Sequence, residues 1–231
     1  MSNIYNDGTY LKNNPTWDSE HSSWKAEQIK RIIVRNRIPR STICEVGCGA
    51  GEVLNQLSAR LGDGKKYFGY EVSPQAFELC GKLTNSNLTF FLKDLVEEDG
   101  AYYDIVMAID VIEHVDDYIA FLRKLKTRGM YKIFHIPLDL SVQTVLRVSP
   151  IFYSRLKAGH IHYFTKETAL AALEYAGYEI MDYFYTGSRV DGPTRSWKAN
   201  IPRIPRRALF SLNHDLAVRI LGGYSLLVLT R

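Results

Sequence analysis

Short apolar runs recur along the chain, separated by longer stretches in which apolar residues return every three or four positions. The runs lie at 42–47 (TICEVG), 66–72 (KYFGYEV), 88–92 (LTFFL), 103–110 (YDIVMAID) and 131–137 (YKIFHIP). They are rich in β-branched and aromatic residues, and several are apolar on both faces, which predicts buried parallel strands. Between them, 50–62 places Leu54, Leu57 and Leu61 on one helical stripe, with Gly62 as its stop. Segment 73–83 opens with Ser73 as a cap and Pro74 at the first helical position. Segment 115–129 has Asp116 and Asp117 early and Arg123, Lys124 and Lys126 late, the polarity a helix dipole favours. Further helices are predicted over 165–177 and, before the first strand, over 20–37. Runs at 178–187 and 224–231 complete a set of seven strands. Alternation of this kind implies an α/β fold with a largely parallel sheet covered on both faces.

Composition narrows the picture only slightly. At 231 residues and 46% hydrophobic content, the chain suits one core, so residues 1–231 are expected to form a single domain. No apolar stretch approaches the roughly 18 residues that span a bilayer, and the polar start MSNIYNDGTYLKNNPTWDSE does not read as a leader. A net charge of +4 is small against the charged residues present and does not by itself mark a nucleic-acid binder. Cys44, Cys48 and Cys80 are odd in number and form no CxxC; they read as packed thiols of a reducing compartment, which makes the expected location cytoplasmic.

The sharpest local feature is Gly47, Gly49 and Gly51, directly after the first strand and its Glu45. Glycine is costly to order, so three in five residues point to a tight turn and close approach to a ligand. A dinucleotide fingerprint would read GxGxxG, but Glu52 stands at the final position, where it would repel a pyrophosphate. No Gly-Lys-Ser/Thr follows either. The loop therefore suits a ligand that passes close to backbone without phosphates. Glu71 ends the second strand, 20 residues after Gly51, where a carboxylate can take the hydroxyls of a ribose. Asp94 ends the third strand, placed to accept from an adenine amino group.

As a set, EVGCGAGEVL, GYEVSP, KDL and YDIVMAIDVIEHVDD resemble the successive motifs of class I S-adenosylmethionine-dependent methyltransferases, most nearly the ubiquinone-biosynthesis-type small-molecule enzymes. The likeness spans about residues 40–186 and, more loosely, 224–230. It implies a Rossmann-like seven-stranded sheet in the order 3-2-1-4-5-7-6 with the last strand antiparallel, and S-adenosylmethionine as cofactor. By the same resemblance Glu45, Gly47, Cys48, Gly49 and Gly51 approach the methionine part. Glu71 with Val72 holds the ribose, Asp94 with Leu95 the adenine, and Ile109, Asp110 and Val111 flank the sulfonium.

Methyl transfer is an in-line displacement, helped by a base when the acceptor is a hydroxyl or amine. His114, in IDVIEHVDD, and His160 and His162, in GHIHYFT, are the candidate catalytic residues, although a structural hydrogen bond explains His114 equally well. Two apart, His160 and His162 should share a face if the segment is extended. They lack an evident third ligand, so no metal is expected. His135 reads as a packed core histidine. Histidine bases, and the absence of an amide-stacking motif, favour O-methylation of a small molecule such as a sugar or biosynthetic intermediate. Nucleic-acid amino-methyltransferases carry Asn/Asp-Pro-Pro-aromatic after strand four, where this chain reads IDVIEH.

Three segments exceed the minimal fold. Residues 1–38, with Tyr5, Tyr10, Trp17 and Trp24, read as a lid or as packing on the sheet. Residues 138–164 read as a substrate wall. Residues 187–223 carry Arg189, Arg195, Lys198, Arg203, Arg206 and Arg207, either a solvated basic face or a site for an acidic or phosphate-bearing substrate. Oligomeric state stays open. Two other functions compete: a nicotinamide-dependent oxidoreductase, opposed by Glu52, and a non-catalytic nucleoside-binding scaffold, opposed by the intact glycine and carboxylate set.

Overall fold

The computed structural model describes residues 8–17, 19–187 and 203–231. Its strands are β1 (Thr42–Val46), β2 (Lys66–Glu71), β3 (Leu88–Leu92), β4 (Tyr103–Ile109), β5 (Gly129–Pro137), β6 (Ile180–Thr186) and β7 (Ser225–Thr230). They form one sheet in the order β3-β2-β1-β4-β5-β7-β6, as expected. Strands β1 to β5 pair in parallel, and β7 runs antiparallel between β5 and β6.

Burial on both faces accounts for the continuous apolar runs. On β4, Val106 and Ala108 enter a cluster with Leu122, Phe134 and Leu173, while Ile105, Met107 and Ile109 enter another with Ile29, Ile33, Leu54 and Leu57. Helices α2 (Ser22–Arg35) and α3 (Glu52–Leu61) supply the second cluster; α5 (Tyr118–Lys126) and α8 (Lys166–Tyr175) cover the first. A fully buried side chain of this size contributes about 1.5–3 kcal/mol.

Helix starts follow the cap residues. Ser73 accepts the Ala76 N–H ahead of α4 (Pro74–Cys80), and Asp117 accepts the Ala120 N–H at 2.9 Å ahead of α5. Thr165 forms a capping box with Thr168 at α8. The helix expected over 20–37 is shorter, because residues Ser19–His21 make a 3₁₀ turn first. A short α1 (Thr9–Asn13) precedes it. Segment 138–164 folds into α6 (Val142–Arg147), α7 (Ser149–Tyr153) and a π-turn (Ser154–Ala158). The far part of 187–223 forms α9 (Arg203–Leu212) and α10 (His214–Leu221). Tyr5, Arg189, Arg195, Lys198 and the side chain of Arg203 lie outside the described residues. All three cysteines are buried and free. No described helix is long and apolar enough to cross a membrane.

The strand order reverses between β1 and β4, and in open parallel sheets that is where ligands bind, beyond the carboxyl ends of the strands.

Candidate active site

The glycine loop turns out of β1 with left-handed backbone at each glycine. A Cβ at Gly49 would lie 2.7 Å from Cδ1 of Trp17; at Gly51 it would lie 2.6 Å from Cζ of Phe90 and 2.7 Å from Cβ of Cys80. Both space and φ therefore require glycine. The loop is tied to β2 by the Cys48 N–H, which donates to the Tyr70 carbonyl at 3.1 Å. Glu71 Oε2 accepts the Gly49 N–H at 2.7 Å, and Oε1 accepts the N–H groups of Val72 and Ser73, each at 2.8 Å. Burial raises the Glu71 carboxyl, and these three donors hold it back.

A cavity of about 930 Å³ opens over the ends of β1 and β4. Glu45, Gly47, Cys48, Gly49, Ile109 and Asp110 all reach it. Glu45 is 2% exposed, its Oε2 has no hydrogen-bond partner among the described residues, and burial pushes its carboxyl up to about 8. Asp110 behaves in the opposite way. Burial works against its charge, but His135 and Lys25 beside it prevail and hold it well below the usual carboxylate range. His135 Nδ1 lies 2.5 Å from Asp110 Oδ1, and Lys25 Nζ 2.9 Å from Oδ2. Asp110 also holds φ +56°, a strained conformation for a residue with a Cβ.

This arrangement corrects the expectation for His135. It is buried, but it lines the cavity and bridges Asp110 to the Thr186 hydroxyl, 2.8 Å from Nε2. It is part of a hydrogen-bonded network and not core packing alone.

At the far end of IDVIEHVDD, residues Ile112–His114 form a 3₁₀ turn. His114 Nδ1 lies 3.2 Å from the Gly159 carbonyl, which only accepts, so Nδ1 carries the proton. Burial, then the neighbouring His160, lowers the His114 pKa to about 4, so it is neutral at pH 7. The His114 and His160 rings meet edge to face at 5.0 Å. His160 Nδ1 lies 2.5 Å from Asp139 Oδ2. Glu113 is fully buried against them, with neither carboxylate oxygen partnered by a hydrogen bond among the described residues; burial, then Asp110, raises its carboxyl.

His160 and His162 do not share a face. The Glu113 carbonyl accepts both the Ile161 and His162 N–H groups, at 2.8 and 3.1 Å, which wraps the segment around the 3₁₀ turn. His160 consequently reaches the cavity, while His162 donates from Nε2 to the Val115 carbonyl at 2.9 Å and meets the Tyr118 ring edge to face. A different group comes together instead of the His160 and His162 pair: Glu113, His114 and His160 place one donor atom each within 4.8 Å of one another.

The remaining expected positions stand apart from the cavity wall. Val72 is exposed after β2, and Asp94 is exposed after β3, where its Oδ1 accepts the Val96 N–H at 3.1 Å. Leu95 is fully buried, and Val111 packs on Gly47. Of the residues assigned to methionine, Glu45, Gly47, Cys48 and Gly49 line the cavity and Gly51 stands behind it against Phe90 and Cys80, and those assigned to ribose and adenine follow the rim of β2 and β3. Tyr10, Asn14 and Trp17 close the cavity from the N-terminal side, and Asn14 Nδ2 donates to the Lys157 carbonyl at 3.0 Å. Arg206 lines it as well, its guanidinium donating to the carbonyls of Gly222 and Leu221 at 3.1 and 3.2 Å. Lys25, Glu113 and Asp139 were missed from sequence. Only Glu113 carried a signal, its place beside His114 in the quoted motif.

Known proteins agree with this architecture. Over 91 residues the chain is 33% identical to pavine N-methyltransferase from Thalictrum flavum subsp. glaucum, a stretch that is 37% of this chain and 25% of that enzyme. The plantazolicin methyltransferase BpumL, solved with a substrate analogue and S-adenosylhomocysteine, superposes with a TM-score of 0.65 at 16% identity, covering 99% of this chain and 91% of its own. Magnesium protoporphyrin IX methyltransferase from Synechocystis PCC 6803 gives 0.60 at 18% identity, covering 90% and 82%. A family profile described as a methyltransferase domain matches residues 21–183, most of the chain, and on that match the protein belongs to the methyltransferase domain family.

Proposed function

We propose that this enzyme transfers a methyl group from S-adenosylmethionine to a hydroxyl of a small molecule, a sugar or biosynthetic intermediate. The observation that carries the reading is Glu45: a buried carboxylate with an unpartnered oxygen, beside a glycine loop that admits close backbone contact, at the wall of a cavity large enough for two ligands. An amino-acid ammonium is the natural partner for it. Glu71 and Asp94 stand at successive strand ends, where ribose and adenine would lie, with Val72 and Leu95 beside them. Ile109, Asp110 and Val111 would flank the sulfonium.

S-adenosylmethionine supplies an activated methyl group, so the protein's task is alignment and preparation of the acceptor. Ionised Asp110, fixed by Lys25 and His135, keeps negative charge near the sulfonium. His114 and His160 are the groups that prepare the hydroxyl, and the outward position of His162 removes it from that role. S-adenosylhomocysteine in the solved relatives, and N-methylation by pavine N-methyltransferase, support the cofactor and a small acceptor; histidines at the cavity favour oxygen over nitrogen. The likeness to ubiquinone-type enzymes belongs to this proposal too.

Thermal unfolding with S-adenosylhomocysteine, and separately with NAD, tests it. A ligand at 100-fold its dissociation constant stabilises by about 2.7 kcal/mol, or roughly 5–10 °C at this length. The expected shift occurs with the nucleoside thioether alone and is lost in Glu71→Ala. A shift only with NAD would overturn the reading in favour of an oxidoreductase.

A further inference from the structure

We propose that Glu113, His114 and His160 form a binding site for a divalent transition-metal cation, which takes the acceptor's hydroxyl oxygen as a further ligand. The inference rests on the methyl-transfer reading for its acceptor, but not for the site itself.

Four observations converge. Glu113 is 0% exposed and neither carboxylate oxygen has a hydrogen-bond partner among the described residues. A buried carboxylate without partners is expensive in either protonation state, and such groups coordinate metals or pair with charges. Both histidines are oriented for ligation. The Asp139 carboxylate, 2.5 Å from His160 Nδ1, and the Gly159 carbonyl, 3.2 Å from His114 Nδ1, fix the proton on Nδ1 in each ring. That leaves Nε2 with the lone pair, and a carboxylate or carbonyl behind the ring is the usual outer support of a metal-bound histidine. His114 Nε2 lies 3.8 Å from Glu113 Oε1, and each of the three residues has a ligand atom, a ring nitrogen or a carboxylate oxygen, within 4.8 Å of those of the other two. Metal bonds of about 2.0–2.2 Å need those separations to shrink by roughly an ångström, within reach of small side-chain rotations. Finally, all three residues line the cavity that Glu45 and the glycine loop also line.

The donor set selects the ion. Two imidazoles and one carboxylate suit Zn²⁺, Mn²⁺, Co²⁺ or Fe²⁺; Mg²⁺ and Ca²⁺ prefer oxygen throughout. Three protein ligands leave positions open, the pattern of sites that bind substrate and not of structural ones. A hydroxyl bound there loses its proton to solvent at a lower pH than when free. Its oxygen lone pair then forms the C–O bond to the methyl carbon as the C–S pair returns to sulfur, leaving a neutral thioether.

The test uses the full chain stripped with a chelator and titrated with Co²⁺, followed by visible absorption, and with Mn²⁺, followed by loss of the free-ion paramagnetic resonance signal. One equivalent of either should bind, Zn²⁺ should displace it, and Mg²⁺ at the same concentration should not. Asp139→Asn should weaken Co²⁺ binding about 10- to 100-fold, and Glu113→Gln or His160→Asn should weaken it at least as much. His162→Asn should leave it unchanged. Because Glu113→Gln replaces a fully buried group, His160→Asn carries the result if that variant fails to fold. Absence of stoichiometric binding, or binding equal in wild type and His160→Asn, would overturn the site. Binding of S-adenosylhomocysteine is read separately by thermal shift. Cofactor without metal would sink this inference alone, and metal without cofactor would sink the methyl-transfer reading alone.

Discussion

Glu45 should release a proton when the cofactor binds. With a pKa of about 8 in the free protein, the group is about nine-tenths protonated at pH 7. The α-ammonium of S-adenosylhomocysteine placed on its unpartnered oxygen favours the ionised form, so binding at pH 7 should expel about 0.9 proton, and about half a proton at pH 8. Calorimetric titration in buffers of different ionisation enthalpy reads this directly, since the slope of observed enthalpy against buffer enthalpy is the number of protons. Affinity should follow, rising about ninefold from pH 6 to pH 7 and flattening above pH 8. The free protein's stability carries the same signature. Because the folded pKa lies above the ordinary carboxyl value of 4.5, the contribution is fully present below pH 4.5 and is lost as pH rises through 8, by at most about 4–5 kcal/mol. Glu45→Gln should abolish the proton release and remove this part of the decline. A slope of zero at pH 7, or an unchanged slope in Glu45→Gln, would refute the placement of the ammonium on Glu45.

Three further outcomes are expected. Gly51→Ala must hold φ +76° and place its Cβ 2.6 Å from Phe90 and 2.7 Å from Cys80, so urea unfolding should show a loss of about 3 kcal/mol or more; an unchanged midpoint would contradict the loop geometry. Lys25→Met removes the lysine paired with Asp110 and should cost about 2–4 kcal/mol, part of it regained in Lys25→Met/Asp110→Asn. Strict additivity of the two changes would show that the pair does not interact. Trp17 lies over Gly49 and meets Tyr10 at 4.8 Å, so Trp17→Ala should speed release of S-adenosylhomocysteine roughly tenfold, a loss of about 1.4 kcal/mol. Stopped-flow displacement measures this, and an unaltered rate would make Trp17 simple packing.

What was legible in the sequence is what depends on neighbours along the chain. Strand β4 could be read because alternate residues enter different cores, so no polar position interrupts it. The glycine loop could be read because its φ angles are local requirements. Helices α6 and α7 could not, since six and five residues are too few to show a 3.6-residue period. His160 and His162 point apart for a related reason: alternation holds only in a strand, and here a single carbonyl, that of Glu113, bends the chain.

Least legible was which acid meets which base. Lys25 reaches Asp110 from the N-terminal helix, and His135 stands beside Asp110 only because β5 pairs with β4 in the register that matches Ile109 with His135. Among the carboxylates at this end of the sheet, the fold treats Glu71 and Asp110 in one way and Glu45 and Glu113 in another. Glu71 accepts three backbone N–H groups, and Asp110 has a lysine and a histidine. Glu45 has one oxygen, and Glu113 both, without a hydrogen-bond partner among the described residues. Buried acids left so hold on to their protons, and a positively charged ligand draws them into the ionised form. Both face one cavity, which therefore asks for two cations of different kinds: an organic ammonium beside the glycine loop, and a metal ion between the histidines.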